Sequence, residues 1–580
     1  MAILKVVGRF SILLLSSLSI TGASAISSPN GKINIEKIAK GIKICYERQP
    51  IMVYECGEIE NIVDIGRAEI GYEMLIGKRS RCHNAFTDVD VYLRDGKKVD
   101  IRVYDDGVAW KSDDASKIDL KTSTHNWIQQ WVQPYEEFFP LDRVLSPGSR
   151  WAFPALFEFP DSIFMLLTES DINRDGVGAS IYSTDSSLVF EVKAPDEGEN
   201  GWVTAIIGTL GDVVESTLVT DNSEPCQIQD TSWIAPGVAS WVYWAYNHGS
   251  KEYDIVKKYI DMAIKLKLPY VLIDAEWDEM HGDGTVVDLL NYANKNGVKP
   301  MLWYNSSIGW IDGAPGPKFR LNEPQKREQE FAWCEANGVK GVKIDFFSGD
   351  NNQNMKYMIE LLECAARHHL LVNFHGATLP RGWQRTYPNM ISTEGVYGAE
   401  WYNNVPTFTK LAASHNATLP FTRNVVGPMD YTPCAFSDSQ HPHITSNAHE
   451  LALTALFESG IQHIADSPES LFDQPVEVLD FISGLPSAWD DTYFICGYPG
   501  DFCVIAREKD GYFYIAGING NDSVCIVDLD YSSVPFDRSG LNAIMFADGE
   551  DSEWNIKQIT ELPDSIAMKP RGGFVIKVFK

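Results

Sequence analysis

Gly341-Val342-Lys343-Ile344-Asp345-Phe346-Phe347 is a short apolar run that ends on a carboxylate, and it reads as a buried strand delivering an acid to a rim. Runs of the same kind start near Ala239, Tyr270, Lys299, Leu370, Met390, Phe421 and Gly460. Helix-length amphipathic segments fill the gaps, most clearly Glu252 to Leu266 and Glu323 to Asn337, where apolar residues recur at three- and four-residue spacing. This alternation predicts βα units and a parallel sheet, and eight such units in about 250 residues have the size of a (β/α)8 TIM barrel.

On both sides of this region the pattern becomes one of short alternating strands. Residues 30–230 carry runs such as Asp100-Ile101-Arg102-Val103-Tyr104, separated by turns such as Asp105-Asp106-Gly107, and predict a large β-sandwich. Within it, Trp127 to Leu141 is an aromatic and acidic loop. From about Trp489, runs such as Tyr512-Phe513-Tyr514-Ile515-Ala516 predict a small antiparallel β-sandwich. The predicted organisation is a multidomain chain: 1–25 signal peptide, 26–232 N-terminal β-sandwich, 233–486 catalytic (β/α)8 barrel, and 487–580 C-terminal β-sandwich.

The leader follows from Lys5 and Arg9, the apolar run Phe10 to Ile20, and the small-x-small site Ala23-Ser24-Ala25. It predicts a periplasmic or secreted protein, and no later run is long and apolar enough for a membrane span. Such a compartment permits disulfides. Among the ten cysteines, Cys45 with Cys56 and Cys496 with Cys503 are plausible local bridges, and free thiols are the alternative. The 580 residues carry a net charge of -30, which would repel a nucleic acid. Aromatic residues make up 12%, with 16 Trp, a supply that suits sugar-binding clefts as well as packing.

In a barrel of this kind the site lies at the C-terminal ends of the strands. Those positions hold Asn247, Asp274, Glu276, Asn305, Asp345, His375, Glu394, Glu400, Asp430 and Asp466. One acid after a strand is ordinarily a helix cap or a solvated loop residue. A ring of acids is costly unless a cation or a reaction uses it. Two opposed carboxylates in an aromatic cleft suit glycoside hydrolysis, one protonating the leaving oxygen and the other attacking the anomeric carbon or activating water. Asp345 and Glu400 are the candidate pair. Lys343 shares a strand face with Asp345, where it is expected to pair with it and keep it ionised.

The order sandwich, barrel, sandwich, together with GVKIDF (341–346), RTYPN (385–389), TEGVYGAE (393–400) and PFTRNVVGPMDYTP (420–433), resembles glycoside hydrolase family 97 over nearly the whole mature chain. The resemblance implies a Ca²⁺-dependent, exo-acting α-glycosidase acting on an oligosaccharide or glycoside substrate. It makes Asp345 the nucleophile of the retaining branch, Glu400 the general acid/base, and Glu394 a calcium ligand, with Glu400 also touching the metal. A Gln-Pro-Trp-Gly-Glu-like segment of the family is matched by Gln133-Pro134-Tyr135-Glu136-Glu137, which makes Glu137 the further metal ligand. The tyrosine and the extra acid depart from the pattern and leave Glu136 open. Inverting members carry a glutamate where this chain has His375-Gly376-Ala377, so retention is favoured. Asp274, Trp303, Asn305, Lys343, His375 and Asp430 are candidate sugar contacts. The implied activity is that of a retaining α-galactosidase. The alternatives are an α-glucosidase, a β-L-arabinopyranosidase, or a carbohydrate-binding protein on the same scaffold.

Overall fold

Seven parallel strands form the central sheet: β1 (Gly237–Trp241), β2 (Tyr270–Ile273), β3 (Lys299–Asn305), β4 (Gly341–Asp345), β5 (Leu371–Phe374), β6 (Met390–Thr393) and β7 (Ile461–Ala465), in the order β6-β5-β4-β3-β2-β1-β7. The computed structural model describes residues 26–580 except 186, 244–248, 439, 537–539 and 551–553; the segment expected to be a signal peptide and Asn247 lie outside the described residues. Every residue of β4 is buried. Alternation sends Val342 and Ile344 into the hydrophobic core and Lys343 and Asp345 to the other face.

Helices connect the strands. In α1 (Tyr253–Leu266), Val256, Tyr259, Ile260 and Ala263 are buried at helical spacing, and the helix stops where Lys267 turns left-handed. A reciprocal Thr285–Asp288 capping box starts α2 (Val286–Lys295). Pro324 occupies the first turn of α3 (Pro324–Ala336), and the Asn351 side chain caps α4 (Asn352–Arg367).

The run starting at Phe421 is not a strand, which corrects the eight-strand reading. Leu419–Phe421 and Arg423–Val425 are single 3₁₀ turns instead. The reason is Arg423, which is fully buried. Its guanidinium donates to the carbonyls of Thr393 (3.0 Å), Glu394 (2.9 Å) and Gly395 (3.1 Å), and to those of Gly427 (3.1 Å) and Pro428 (2.8 Å). A fork of side-chain donors thus replaces the backbone N–H groups a strand would present to the end of β6. Gly460 completes the closure, because a Cβ there would lie 2.5 Å from the Ile391 carbonyl oxygen.

The N-terminal region is a 15-stranded sheet of antiparallel hairpins. The loop after its strand His125–Gln130 reaches the barrel, where Trp131 Nε1 (2.7 Å) and the Tyr135 hydroxyl (2.9 Å) both donate to Asp350 Oδ2. Arg381, also fully buried, joins Asp350 to Glu169 and locks this contact. The C-terminal region is a six-stranded antiparallel sheet with a two-stranded ribbon. Its alternation builds two faces: Val504, Ala506, Phe513 and Ile515 form a core of their own, while Ile505, Tyr514 and Ala516 join the barrel's core.

All ten cysteines are free thiols, which corrects both proposed bridges. Cys496 pairs with Val504 across its ladder and Cys503 with Gly497, a one-residue offset that sends the two side chains to opposite faces.

Candidate active site

The strand ends open into a cavity of about 470 Å³, within the range of sugar- and drug-sized pockets. Glu136, Asp274, Trp303, Lys343, Asp345, Glu394 and Glu400 line it, with Trp310 and Trp401 adding flat apolar walls. Asn305, His375 and Asp430 are not in this lining.

Asp345 ends β4 with its carboxylate held from two sides. Trp303 Nε1 donates to Oδ2 at 3.1 Å and the Phe346 amide to Oδ1 at 2.8 Å. Phe346 makes that return possible by adopting φ 66°, a left-handed conformation that costs a bulky residue about 1–2 kcal/mol. Burial pushes the Asp345 carboxyl up to about 6, against the pull of Lys343 and His375. Lys343 does not pair with Asp345 as expected. Its ammonium lies 3.3 Å from Asp274 Oδ2, a carboxylate also held by Trp241 Nε1 (2.6 Å) and the Ala275 amide (2.7 Å). Asp274 is buried too, yet Lys343 and these donors keep its carboxyl below the usual range.

Gly376 explains the missing acid after β5. A Cβ at this position would meet Asp345 Oδ1 at 2.7 Å and the Phe346 amide nitrogen at 2.8 Å, and its φ is 48°. The position has no room for a side chain while Asp345 stands at the end of β4. Its amide donates to Glu394 Oε2 at 2.8 Å.

Below the cavity floor lies a charge relay. His375 Nδ1 is 3.3 Å from Glu394 Oε2, and His375 Nε2 is 2.7 Å from Asp430 Oδ2. Burial alone would lower the imidazole, but Glu394 and Asp430 outweigh it and hold His375 protonated, well above its ordinary value. His463 Nδ1 (2.8 Å) and Asn373 Nδ2 (2.6 Å) also converge on Asp430 Oδ2. Despite burial, these partners keep Asp430 well below the usual carboxylate range. His375 and Asp430 lie outside the cavity lining, His375 standing between Glu394 and Asp430. Asn305 is a brace: its Oδ1 accepts from the Ser307 amide (2.8 Å) and its Nδ2 reaches the carbonyls of Trp310 and Pro315 (both 3.3 Å), which shapes the loop carrying Trp310.

Glu400 stands in the 3₁₀ turn Ala399–Asn403. Burial and the charge of Glu394 push its carboxyl up to about 8. The N-terminal sheet's loop contributes Glu136, not Glu137. Tyr135 takes φ 59° and anchors on Asp350, so the next side chain enters the cavity. The Glu137 carboxylate instead accepts from the Phe138 amide at 2.9 Å, outside the lining. Burial, then Glu394, Glu400 and Asp345, push Glu136 well above the usual carboxylate range.

Donor atoms of His375, Glu394 and Glu400 lie within 4.8 Å of one another. Burial, and after it the charge of Glu394, raises both Glu136 and Glu400, as expected of carboxylates brought together in a cavity. A hard cation bound by oxygen, such as Ca²⁺, fits Glu136, Glu394 and Glu400. His375, protonated and shared by two carboxylates, fits as a hydrogen-bond donor to that set. The sequence offered no signal for Trp310 and Trp401, since aromatic residues are common throughout; Glu136 was visible as an alternative.

Comparison with known proteins follows the same lines. A family described as "Glycoside hydrolase 97" matches residues 236–396. "Glycosyl-hydrolase 97 N-terminal" matches 62–225, and "Glycosyl-hydrolase 97 C-terminal, oligomerisation" matches 488–579. A Streptomyces bingchenggensis protein named "Probable retaining alpha-galactosidase" is 31% identical over 550 residues, 87% of this chain and 83% of that protein. The "Retaining alpha-galactosidase" of Bacteroides thetaiotaomicron is 24% identical over 86% of both chains. A crystal structure of a "beta-arabinopyranosidase" superposes with a TM-score of 0.86 at 25% identity, over 96% of this chain and 100% of that one.

Proposed function

From the premise that the chain belongs to glycoside hydrolase family 97, we propose that it is a Ca²⁺-dependent, exo-acting retaining α-galactosidase. The observation that carries retention is the pairing of Asp345 with Gly376. The carboxylate stands at the end of β4, and the next strand has no room for an acid.

In this reading Asp345 attacks the anomeric carbon and forms a glycosyl-enzyme as the leaving oxygen departs with a proton from Glu400. Glu400 then takes a proton from water, which displaces Asp345 and frees the sugar. Their environments suit these roles. Burial raises both carboxyls, Asp345 to about 6 and Glu400 to about 8, an order that makes Asp345 the more readily ionised of the two. Trp303 and the Phe346 amide hold Asp345 in line, while the Lys343–Asp274 pair presents polar groups to the sugar. Glu136, Glu394 and Glu400 would hold the calcium, which when bound neutralises these carboxylates and offers a contact for a substrate hydroxyl.

The arabinopyranosidase likeness supports a second reading, because β-L-arabinopyranose is α-galactose without its hydroxymethyl group. A panel of p-nitrophenyl α-galactoside, α-glucoside and β-L-arabinopyranoside separates the readings, with NMR of the first-formed anomer. We expect the α-galactoside to turn over fastest with the α-anomer released first; β-anomer first would overturn retention. Gly376→Ala is expected to fold, yet to lose at least about tenfold in kcat/KM because the methyl displaces Asp345 from its attack position. Unchanged kinetics in that variant would mean the Asp345 position is not critical.

A further inference from the structure

We propose that Glu328, Cys364 and His368 form a zinc site between α3 and α4. The helix α4 runs back from the loop after β4 to the start of β5, so its last turn lies at the end of the barrel opposite Asp345. Cys364 and His368 are four residues apart there and project from one face. Glu328 faces them from α3, with Oε1 3.0 Å from His368 Nε2 and Oε2 3.3 Å from Cys364 Sγ. All three donor atoms lie within 4.8 Å of one another. Tetrahedral zinc, with Zn–S about 2.3 Å and Zn–N about 2.0 Å, holds such donors about 3.5 Å apart.

A second observation points to a cation. His368 Nδ1 lies 2.9 Å from Glu335 Oε2, one helical face along α3. This is the arrangement in which a metal-bound imidazole donates its other N–H to a carboxylate, fixing the ring and its tautomer. Arg367 Nη2 also reaches Glu328 Oε2 at 2.7 Å, but this is a largely exposed pair of small net strength, and Oε1 faces His368.

Thiol, imidazole and carboxylate together select a borderline-soft ion, and zinc with water in its fourth position suits them, whereas calcium does not use sulfur. On binding, the Cys364 S–H proton passes to solvent and the thiolate takes the metal. Sequence reading could not reach the set, since the spacing shows only Cys364 and His368 and the third donor sits on another helix.

The test uses the full chain, stripped with EDTA and resaturated with Ca²⁺, in a Cys226→Ser background that removes the exposed thiol. Cd²⁺ is titrated while thiolate-to-metal absorption is followed. One equivalent is expected to bind, with Zn²⁺ competing it away. Cys364→Ser should abolish the absorption, and Glu335→Gln should keep it while weakening affinity about tenfold. Glycosidase turnover should be unchanged in each variant, which reports folding. If Cys364→Ser fails to fold, His368→Gln carries the test through a weakening of at least about tenfold. No absorption in the parent protein, or the same absorption in Cys364→Ser, would overturn the site.

Discussion

Replacing Asp345 by alanine is expected to lower kcat/KM on an aryl α-galactoside by about 10⁴-fold, equivalent to about 5–6 kcal/mol of transition-state stabilisation. The loss is large because the neighbouring acids have other roles: Asp274 is engaged by Lys343, Glu136, Glu394 and Glu400 are assigned to the cation and the proton, and position 376 excludes a side chain. Azide should enter the vacated space and restore turnover, yielding the β-galactosyl azide. A variant that keeps ordinary activity, or an α-azide, would remove Asp345 from the nucleophile role. The same residue sets an acid limit. Burial raises its carboxyl from the usual value near 3.8 to about 6, and only the anion attacks. The kcat/KM of the parent enzyme should therefore fall as pH drops through about 6, roughly two units earlier than for an exposed aspartate. The sign for stability is opposite. A carboxyl raised in the fold disfavours its own charge, so folding is penalised above about 6 and relieved below it. Asp345→Asn should thus raise Tm at neutral pH while abolishing hydrolysis, a trade expected where function needs a buried charge.

Removing calcium should have the second largest effect. EDTA is expected to suppress hydrolysis at least about 100-fold and to lower Tm, with Ca²⁺ restoring both. Glu136, Glu394 and Glu400 line one cavity, and burial, then the charge of Glu394, raises the carboxyls of Glu136 and Glu400. A cation held only by the folded state adds about 2.7 kcal/mol of stability at a hundredfold excess over its Kd. Glu394→Gln should erase the calcium response of both activity and Tm. Glu136→Gln should weaken it and Glu137→Gln leave it intact, because only the former side chain enters the cavity. Indifference to EDTA would sink the calcium assignment, and a Glu137→Gln variant that behaves like Glu136→Gln would reverse the choice between the two.

Much of the architecture was legible before any coordinates. Apolar runs such as Tyr270 to Ile273 and Leu371 to Phe374 form buried strands, and the polar side chain within the second, Asn373, finds a partner in Asp430. The run at Phe421 looked equivalent. What local pattern does not show is that Arg423 would be fully buried against five carbonyl groups from two segments, making a guanidinium the substitute for a ladder. Likewise, Lys343 and Asp345 share a face as alternation requires, but alternation says nothing of Asp274, which reaches Lys343 from the end of β2, two strands away.

The chain by itself determined the order of sheet, barrel and sheet, the strand ends where acids gather, and the family. These rest on periodicity and on contiguous motifs, both short-range properties. Tertiary structure alone decided which acids share one cavity, that Tyr135 turns Glu136 inward, that Gly376 exists to clear Asp345, and that Cys364 and His368 meet Glu328. Each of these depends on atoms from segments far apart in sequence. Burial and the field of neighbouring charges, which set protonation and ligand choice, exist only once those segments are packed.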